Sequence, residues 1–324
     1  MSIYLYSPVV GPTGGTELLQ QFCYVARMRG YDAKILYPKD PAGSPILEHF
    51  GFYENPYTTV FPDNQTDALI VPEHFIEVSS SVKAAKRAIW WMSVDNYWGA
   101  PYSPDGYSYR DLYRIARRFL YKPQHIRNLS KFKDYYHFYQ SEYAREYLSR
   151  EFGLSSTQLF PLSDYIDCRY CFSQSRKMTD RVLYNPKKGL KFTRQLISAA
   201  PDLNWTPLEG MTIESLVNTM QTSKLYIDFG NHPGKDRMPR EAASCGCCVI
   251  TGMRGAARNS VDIEIPHQYK FEKFDVNEIL RTIRYVLSDY QSCFKDFDSY
   301  RAKINCEKDV FIDEVIRVCE MFEQ

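Results

Sequence analysis

Apolar positions along this 324-residue chain recur with two periods, and the switches between them predict its elements. The opening run Ile3-Tyr-Leu-Tyr is a short apolar strand that enters a glycine-rich turn between Pro8 and Glu17. Leu18, Leu19, Phe22, Val25 and Ala26 then follow helical spacing, with Thr16 as N-cap and Gly30 as stop, before a strand over 33–37. The same rhythm predicts strands over 68–71, 89–94, 137–139 and 159–160. Helices fall over 81–88 and 109–121, and a third opens at Glu142 with Ser141 as its cap. Strands that alternate with helices in this way form a parallel sheet covered on both faces.

Residues 163–179, with the polar run Ser173-Gln-Ser-Arg-Lys, break the rhythm and read as a crossover. A second set follows, with strands over 182–184, 203–205, 225–229 and 247–250 and helices over 189–200, 213–220, 237–244, 276–287 and 310–322. The pattern predicts an α/β chain of two doubly wound, Rossmann-like lobes facing a cleft, 1–165 and 166–324, with the last helix packing back on the first lobe. Ligands of such lobes sit at the carboxyl ends of the strands.

Lys and Arg total 40 against 39 Asp and Glu, a formal charge of +1, so no global field favours wrapping nucleic acid or coating a membrane. No run approaches the ~18 apolar residues of a membrane span, and the first residues carry no basic leader, so a cytoplasmic protein is expected. The 26 Tyr and 19 Phe suit stacking on sugars or bases, although core packing accounts for most of them. Nine cysteines without framework spacing imply reduced thiols. Cys168-x2-Cys171 and Cys245-Gly-Cys247-Cys248 combine on paper into a zinc site, but the second group begins a buried strand. No Asp-x-Asp motif appears, and neither a metal nor a cofactor is expected.

Two loops carry candidate chemistry. Gly11-Pro-Thr-Gly14-Gly15-Thr-Glu17 lies between a strand and a helix start, where backbone N–H groups favour an anion. Either these glycines serve a tight turn, or Gly14 and Gly15 admit the backbone close to a ligand's phosphates or to an acceptor. The richer loop is Asp228-Phe-Gly230-Asn-His232-Pro-Gly234-Lys235-Asp236-Arg237-Met-Pro239-Arg240-Glu241, where a strand ends in glycines and packed charges and a small-residue helix follows.

This second loop resembles the donor-binding segment of retaining GT-B glycosyltransferases, notably family 4, whose helix reads Glu-Ala-x-x-x-Gly-x-x-Val-Ile. Glu241-Ala242-Ala243-Ser244-Cys245-Gly246-Cys247-Cys248-Val249-Ile250 follows that pattern residue by residue. The resemblance implies that Glu241 accepts hydrogen bonds from a nucleotide's ribose hydroxyls and that the nucleotide-sugar is a substrate. The family's second Glu, eight positions earlier, is Pro233 here, which leaves Asp228, His232 or Asp236 to substitute and leaves retention of stereochemistry open. Tyr184-Asn-Pro-Lys187-Lys188-Gly189 resembles the family's basic turn. A departing diphosphate needs fixed positive charge, for which Lys187 or Lys188 with Arg237 or Arg240 are candidates, alongside Gly234 and Lys235. In the first lobe Asp95 and Glu73 stand at strand ends as candidate acceptor contacts or bases.

Between Arg110 and Lys133 lie Arg114, Arg117, Arg118, Lys122, Arg127 and Lys131, interleaved with Tyr113, Phe119, Tyr121 and Phe132. This segment is either a solvated face, a contact with anionic headgroups where a lipid-linked glycan acceptor would be found, or a contact with nucleic acid. The expected activity is sugar transfer from a nucleotide-sugar donor to a glycan or lipid-linked glycan hydroxyl. The alternatives are a non-catalytic nucleotide-sugar-binding subunit acting through a partner, or a transferase acting on modified nucleic-acid bases.

Overall fold

The computed structural model describes residues 1–9, 11–98, 109–121, 129–173 and 175–324. The chain forms two units, Met1–Asp164 with Lys308–Gln324, and Tyr165–Glu307. The first is built on a seven-stranded sheet ordered β3-β2-β1-β4-β5-β6-β7, every pairing parallel. Its strands are β1 Ser2–Tyr6, β2 Asp32–Leu36, β3 Tyr57–Thr58, β4 Ala68–Pro72, β5 Lys86–Trp91, β6 Tyr136–Tyr139 and β7 Leu159–Pro161. Strand β4 is buried at all five positions, as a central parallel strand covered on both faces must be.

The first helix, Gly14–Met28, is capped by Thr13 rather than Thr16. Thr16 sits three residues in, and its hydroxyl accepts from the Thr13 N–H while the Thr13 hydroxyl accepts from the Thr16 N–H, at 2.9 and 3.3 Å. The helix expected over 81–88 does not form. A short helix occupies Ile76–Ser79 instead, and β5 already begins at Lys86. The backbone N–H groups of Lys83, Ala84 and Ala85 all donate to the Asp63 carboxylate at 2.9–3.0 Å, which satisfies in a turn the donors that a helix would have used.

The second unit carries a five-stranded parallel sheet ordered β12-β11-β10-β8-β9. These strands are β8 Thr179–Tyr184, β9 Asn204–Pro207, β10 Ser223–Asp228, β11 Cys248–Gly252 and β12 Lys270–Phe271. Helices Leu190–Ala199, Ile213–Met220, Arg237–Ser244 and Val276–Ser288 lie between or after them, with Thr212 and Asp275 capping two through their side chains. Cys245, Cys247 and Cys248 are buried in this unit's core, where burial pushes the Cys245 thiol up to about 12, while Cys168 and Cys171 are exposed. The zinc grouping entertained from the sequence is therefore not assembled among the described residues.

The last helix runs over Asp298–Glu323, twice the length its apolar spacing suggested. Tyr300 and Ile304 belong to the core of the second unit, while Phe322 sets its ring 5.4 Å from Tyr136 and 6.0 Å from Phe138 in the first. Among the described residues no helix is long and apolar enough to cross a membrane.

Candidate functional site

In the second sheet β8 and β10 are neighbours, and the chain leaves them toward opposite sides, so the strand order reverses there. The loops that follow these two strands carry most of the charged candidates. Gly189 has φ +62°, and a Cβ on it would meet the Gly230 nitrogen at 2.6 Å. A Cβ on Gly230 would meet the Lys188 Cβ at 2.6 Å. The paired glycines thus let one loop lie directly on the other, and Lys188 reaches over to donate to both oxygens of Asp236 at 2.7 and 2.6 Å.

Asp228 closes β10. Its carboxylate accepts from the Gly230 N–H at 2.9 Å and from the Tyr226 hydroxyl at 3.0 Å, which folds the loop back over the strand end. His232 is fully buried, with Nε2 3.7 Å from Asp228 and Nδ1 2.9 Å from Asp236. The Nδ1 approach is at ion-pair distance but off the N–H direction, so its attraction is Coulombic more than a well-aligned hydrogen bond. The loop after β11 completes the floor, where the Ala256 N–H donates to the His232 carbonyl at 2.8 Å.

Burial alone would discharge His232, but the carboxylates of Asp228 and Asp236 outweigh it and raise its pKa above the ordinary 6.5. Asp236 is pulled down to about 2, against burial, by His232 and Lys188. Two carboxylates therefore flank the His232 ring, and one of them, Asp236, is also held by the Lys188 ammonium. The ligand atoms of Asp228, His232 and Asp236 also lie within 4.8 Å of one another, the spacing of a cation site. Lys188 supplies positive charge to that cluster through Asp236.

The helix Arg237–Ser244 starts immediately beyond Asp236. Arg237 Nε lies 3.4 Å from Glu241 Oε1 one turn later, and Glu241 is buried. Arg240 is fully buried and turned to other work. It donates to Glu307 Oε2 at 2.7 Å, to the Lys235 carbonyl at 2.9 Å and to the Asp236 carbonyl at 3.2 Å. Lys235 meets the other oxygen of Glu307 at 2.8 Å. Lys235 and Arg240, expected from the sequence to face a diphosphate, are thus engaged in bracing the loop, and Glu307 is a functional candidate that the sequence did not single out. Lys187 is exposed and Gly234 is buried in the same two loops.

In the first unit the sheet reverses order between β1 and β4. Gly14 and Gly15 form the first turn of the helix that follows β1, and Glu73 follows β4. A Cβ on Gly15 would stand 3.6 Å from Met92 Sδ. Glu73 is buried and accepts from the Met92 and Ser93 N–H groups at 2.9 and 3.1 Å, just ahead of the helix Val94–Trp98. Asp95 is buried too and accepts from the Tyr143 hydroxyl at 2.7 Å. Of the basic segment, the helix Tyr109–Tyr121 exposes Tyr109, Leu112, Tyr113 and Leu120 beside Arg110, Arg114 and Arg117, whereas Lys122 and Arg127 lie outside the described residues.

No protein-family model and no curated protein matches this chain. Solved structures do. A glycosyltransferase from Rickettsia africae superposes with a TM-score of 0.64 at 10% identity, over 99% of this chain and 97% of that one. Anabaena HepE in complex with UDP and glucose gives 0.68 at 14% identity, over 99% of each chain. Sucrose-phosphate synthase from Thermosynechococcus elongatus gives 0.66 at 12% identity, over 100% and 98%. The chain has the α/β fold of the GT-B glycosyltransferases, two units each built on a parallel sheet.

Proposed function

We propose that this protein transfers a sugar from a nucleotide-sugar donor to a hydroxyl of a glycan or lipid-linked glycan. The observation that carries the reading is the switch point of the second sheet. There a glycine-paired, positively charged pair of loops leads into the helix bearing Glu241, within a fold shared end to end with a protein that holds UDP and glucose. Glu241 accepts from the ribose hydroxyls. Lys187, Lys188 and Arg237 lie on the loops and helix start that receive the diphosphate, where fixed positive charge lowers the cost of its departure. The acceptor oxygen forms its bond to the anomeric carbon as the bond to the diphosphate oxygen breaks, and the hydroxyl proton passes to a carboxylate, Asp95 or Glu73 in the first unit. His232, enclosed by Asp228 and Asp236, which raise its pKa, shapes the loop. No metal takes part. The helix Tyr109–Tyr121 rests on anionic headgroups, which brings a lipid-linked acceptor to the enzyme.

A thermal-shift panel of UDP, GDP, CMP, ADP and dTDP in chelating buffer tests the reading. One nucleotide, UDP first among them, should add about 2.7 kcal/mol at a hundredfold excess over its Kd. The matching UDP-sugar should then be hydrolysed slowly without acceptor. A shift with no turnover favours a nucleotide-sugar-binding subunit, the reading that Pro233 supports by standing where the family carries Glu. No shift with any nucleotide removes the proposal.

A further inference from the structure

Lys235 and Arg240 stand in the loop and helix start where phosphate ligands are expected, yet both are turned onto one carboxylate. That carboxylate, Glu307, is itself buried and comes from the last helix, 67 positions beyond Arg240. Its two oxygens are divided, Oε1 to Lys235 and Oε2 to Arg240. The Arg240 guanidinium also donates to the backbone of the same loop, at the carbonyls of Lys235 and Asp236. An arginine reaches three acceptors in one plane because its donors form a rigid fork. The path therefore runs from the last helix through Glu307 and Arg240 to the backbone that carries Asp236, and Asp236 in turn holds Lys188 and faces His232. A fully buried guanidinium needs a buried partner to stay in place, and among the described contacts Glu307 is the acid that meets it.

We infer that Glu307 is the positioning residue of the donor loop. It neutralises Lys235 and Arg240 so that they hold the loop carbonyls, and it thereby sets where Lys188, Asp236 and the start of the Glu241 helix stand. It touches no substrate. The inference rests on the donor-site reading above, and its test separates the two.

Glu307→Gln keeps the shape and removes the charge. Amide hydrogen exchange over residues 230–241 should quicken in this variant while the strands β8, β10 and β11 keep their protection. Affinity for the nucleotide selected by the panel should fall on the order of ten- to a hundredfold, the scale of a lost hydrogen bond to a charged group. Glu307→Asp, which restores the charge on a shorter arm, should recover part of both. A merely structural glutamate would lower the melting temperature and leave loop exchange and nucleotide affinity of the folded protein as in wild type, and that result overturns the inference. If Glu307→Gln does not fold, the double variant Glu307→Gln with Arg240→Gln removes both buried charges together. Its loop should still exchange faster than wild type and bind nucleotide more weakly, and wild-type behaviour in both would overturn the inference. A wild-type protein that binds no nucleotide sinks the donor-site reading alone, and loop exchange in the variants then decides the role of Glu307.

Discussion

His137 and His232 are both fully buried histidines, one in each unit, and their pKa values are driven in opposite directions. His137 takes the Trp91 indole N–H on Nδ1 at 3.1 Å and turns Nε2 to the Phe132 carbonyl at 2.8 Å. Burial pushes its pKa down to about 4, and the carbonyl only partly offsets this, so it is neutral with the proton on Nε2. His232 has carboxylates on both sides and is driven the other way. Burial sets the cost of a charge, and the partners decide whether it is borne. The same contrast runs through the acids. Glu73 in the first unit meets two backbone N–H groups, whereas Asp236 in the second meets the Lys188 ammonium and the His232 ring. The first unit uses its buried polar groups to fix a chain turn, and the second stores paired charge at the carboxyl end of its central strand.

The largest expected effect tests whether nucleotide recognition belongs to the second unit alone. Glu241→Ala should weaken nucleotide binding by about 10- to 100-fold, the loss of charge-assisted hydrogen bonds worth roughly 1.5–3 kcal/mol. Asp95→Asn in the first unit should leave the same binding curve where it is. Calorimetric titration of both variants decides it, and equal losses would erase the division between the units. The next effect is on stability. Glu73→Gln puts an amide N–H where a backbone N–H needs an acceptor, so it should cost about 1–3 kcal/mol in denaturant unfolding. If Glu73 is also the base, turnover falls much further than stability accounts for. If turnover of the folded variant is unchanged, Asp95 is left as the carboxylate for that step.

Most of the fold was legible because its signals are local. The helices at Ile213–Met220 and Arg237–Ser244 carry their own caps or stops, and their bounds match the apolar spacing. The misreading at 81–88 has a distant cause, since Asp63 takes three N–H groups some twenty positions away. The last helix was read at half length because Tyr300 and Ile304 pack in the second unit while Phe322 packs in the first, so no single apolar stripe spans it. At the site the residue types were visible but their pairings were not. A run such as Lys235-Asp236-Arg237 looks like a set of free charges in sequence. That Lys188 claims Asp236, and Glu307 claims Lys235 and Arg240, depends on contacts 48 to 72 positions apart.

The smallest effect is the one that sharpens the histidine comparison itself. A group with a raised folded pKa binds more protons folded than unfolded, so the stability from His232 is fully present below 6.5 and is lost as pH rises through its raised value. His137, with its depressed value, contributes fully above 6.5 and loses its contribution as pH falls toward about 4. The two slopes oppose each other on either side of 6.5, so the melting temperature should change little between pH 6 and 7. Histidine ring resonances separate what the melting curve merges. The His232 ring should keep imidazolium shifts at pH 7 while the His137 ring keeps those of the neutral Nε2–H tautomer down to about pH 5. In Asp228→Asn the His232 titration should move down, because one of the two carboxylates that outweigh burial is gone, and the His137 titration should stay put. If instead His232 is neutral at pH 7 in the wild type, the charge balance drawn for the loop is wrong. Lys188 would then be the cation that pairs with Asp236, and the cluster of Asp228, His232 and Asp236 would regain the donor set that a divalent cation requires.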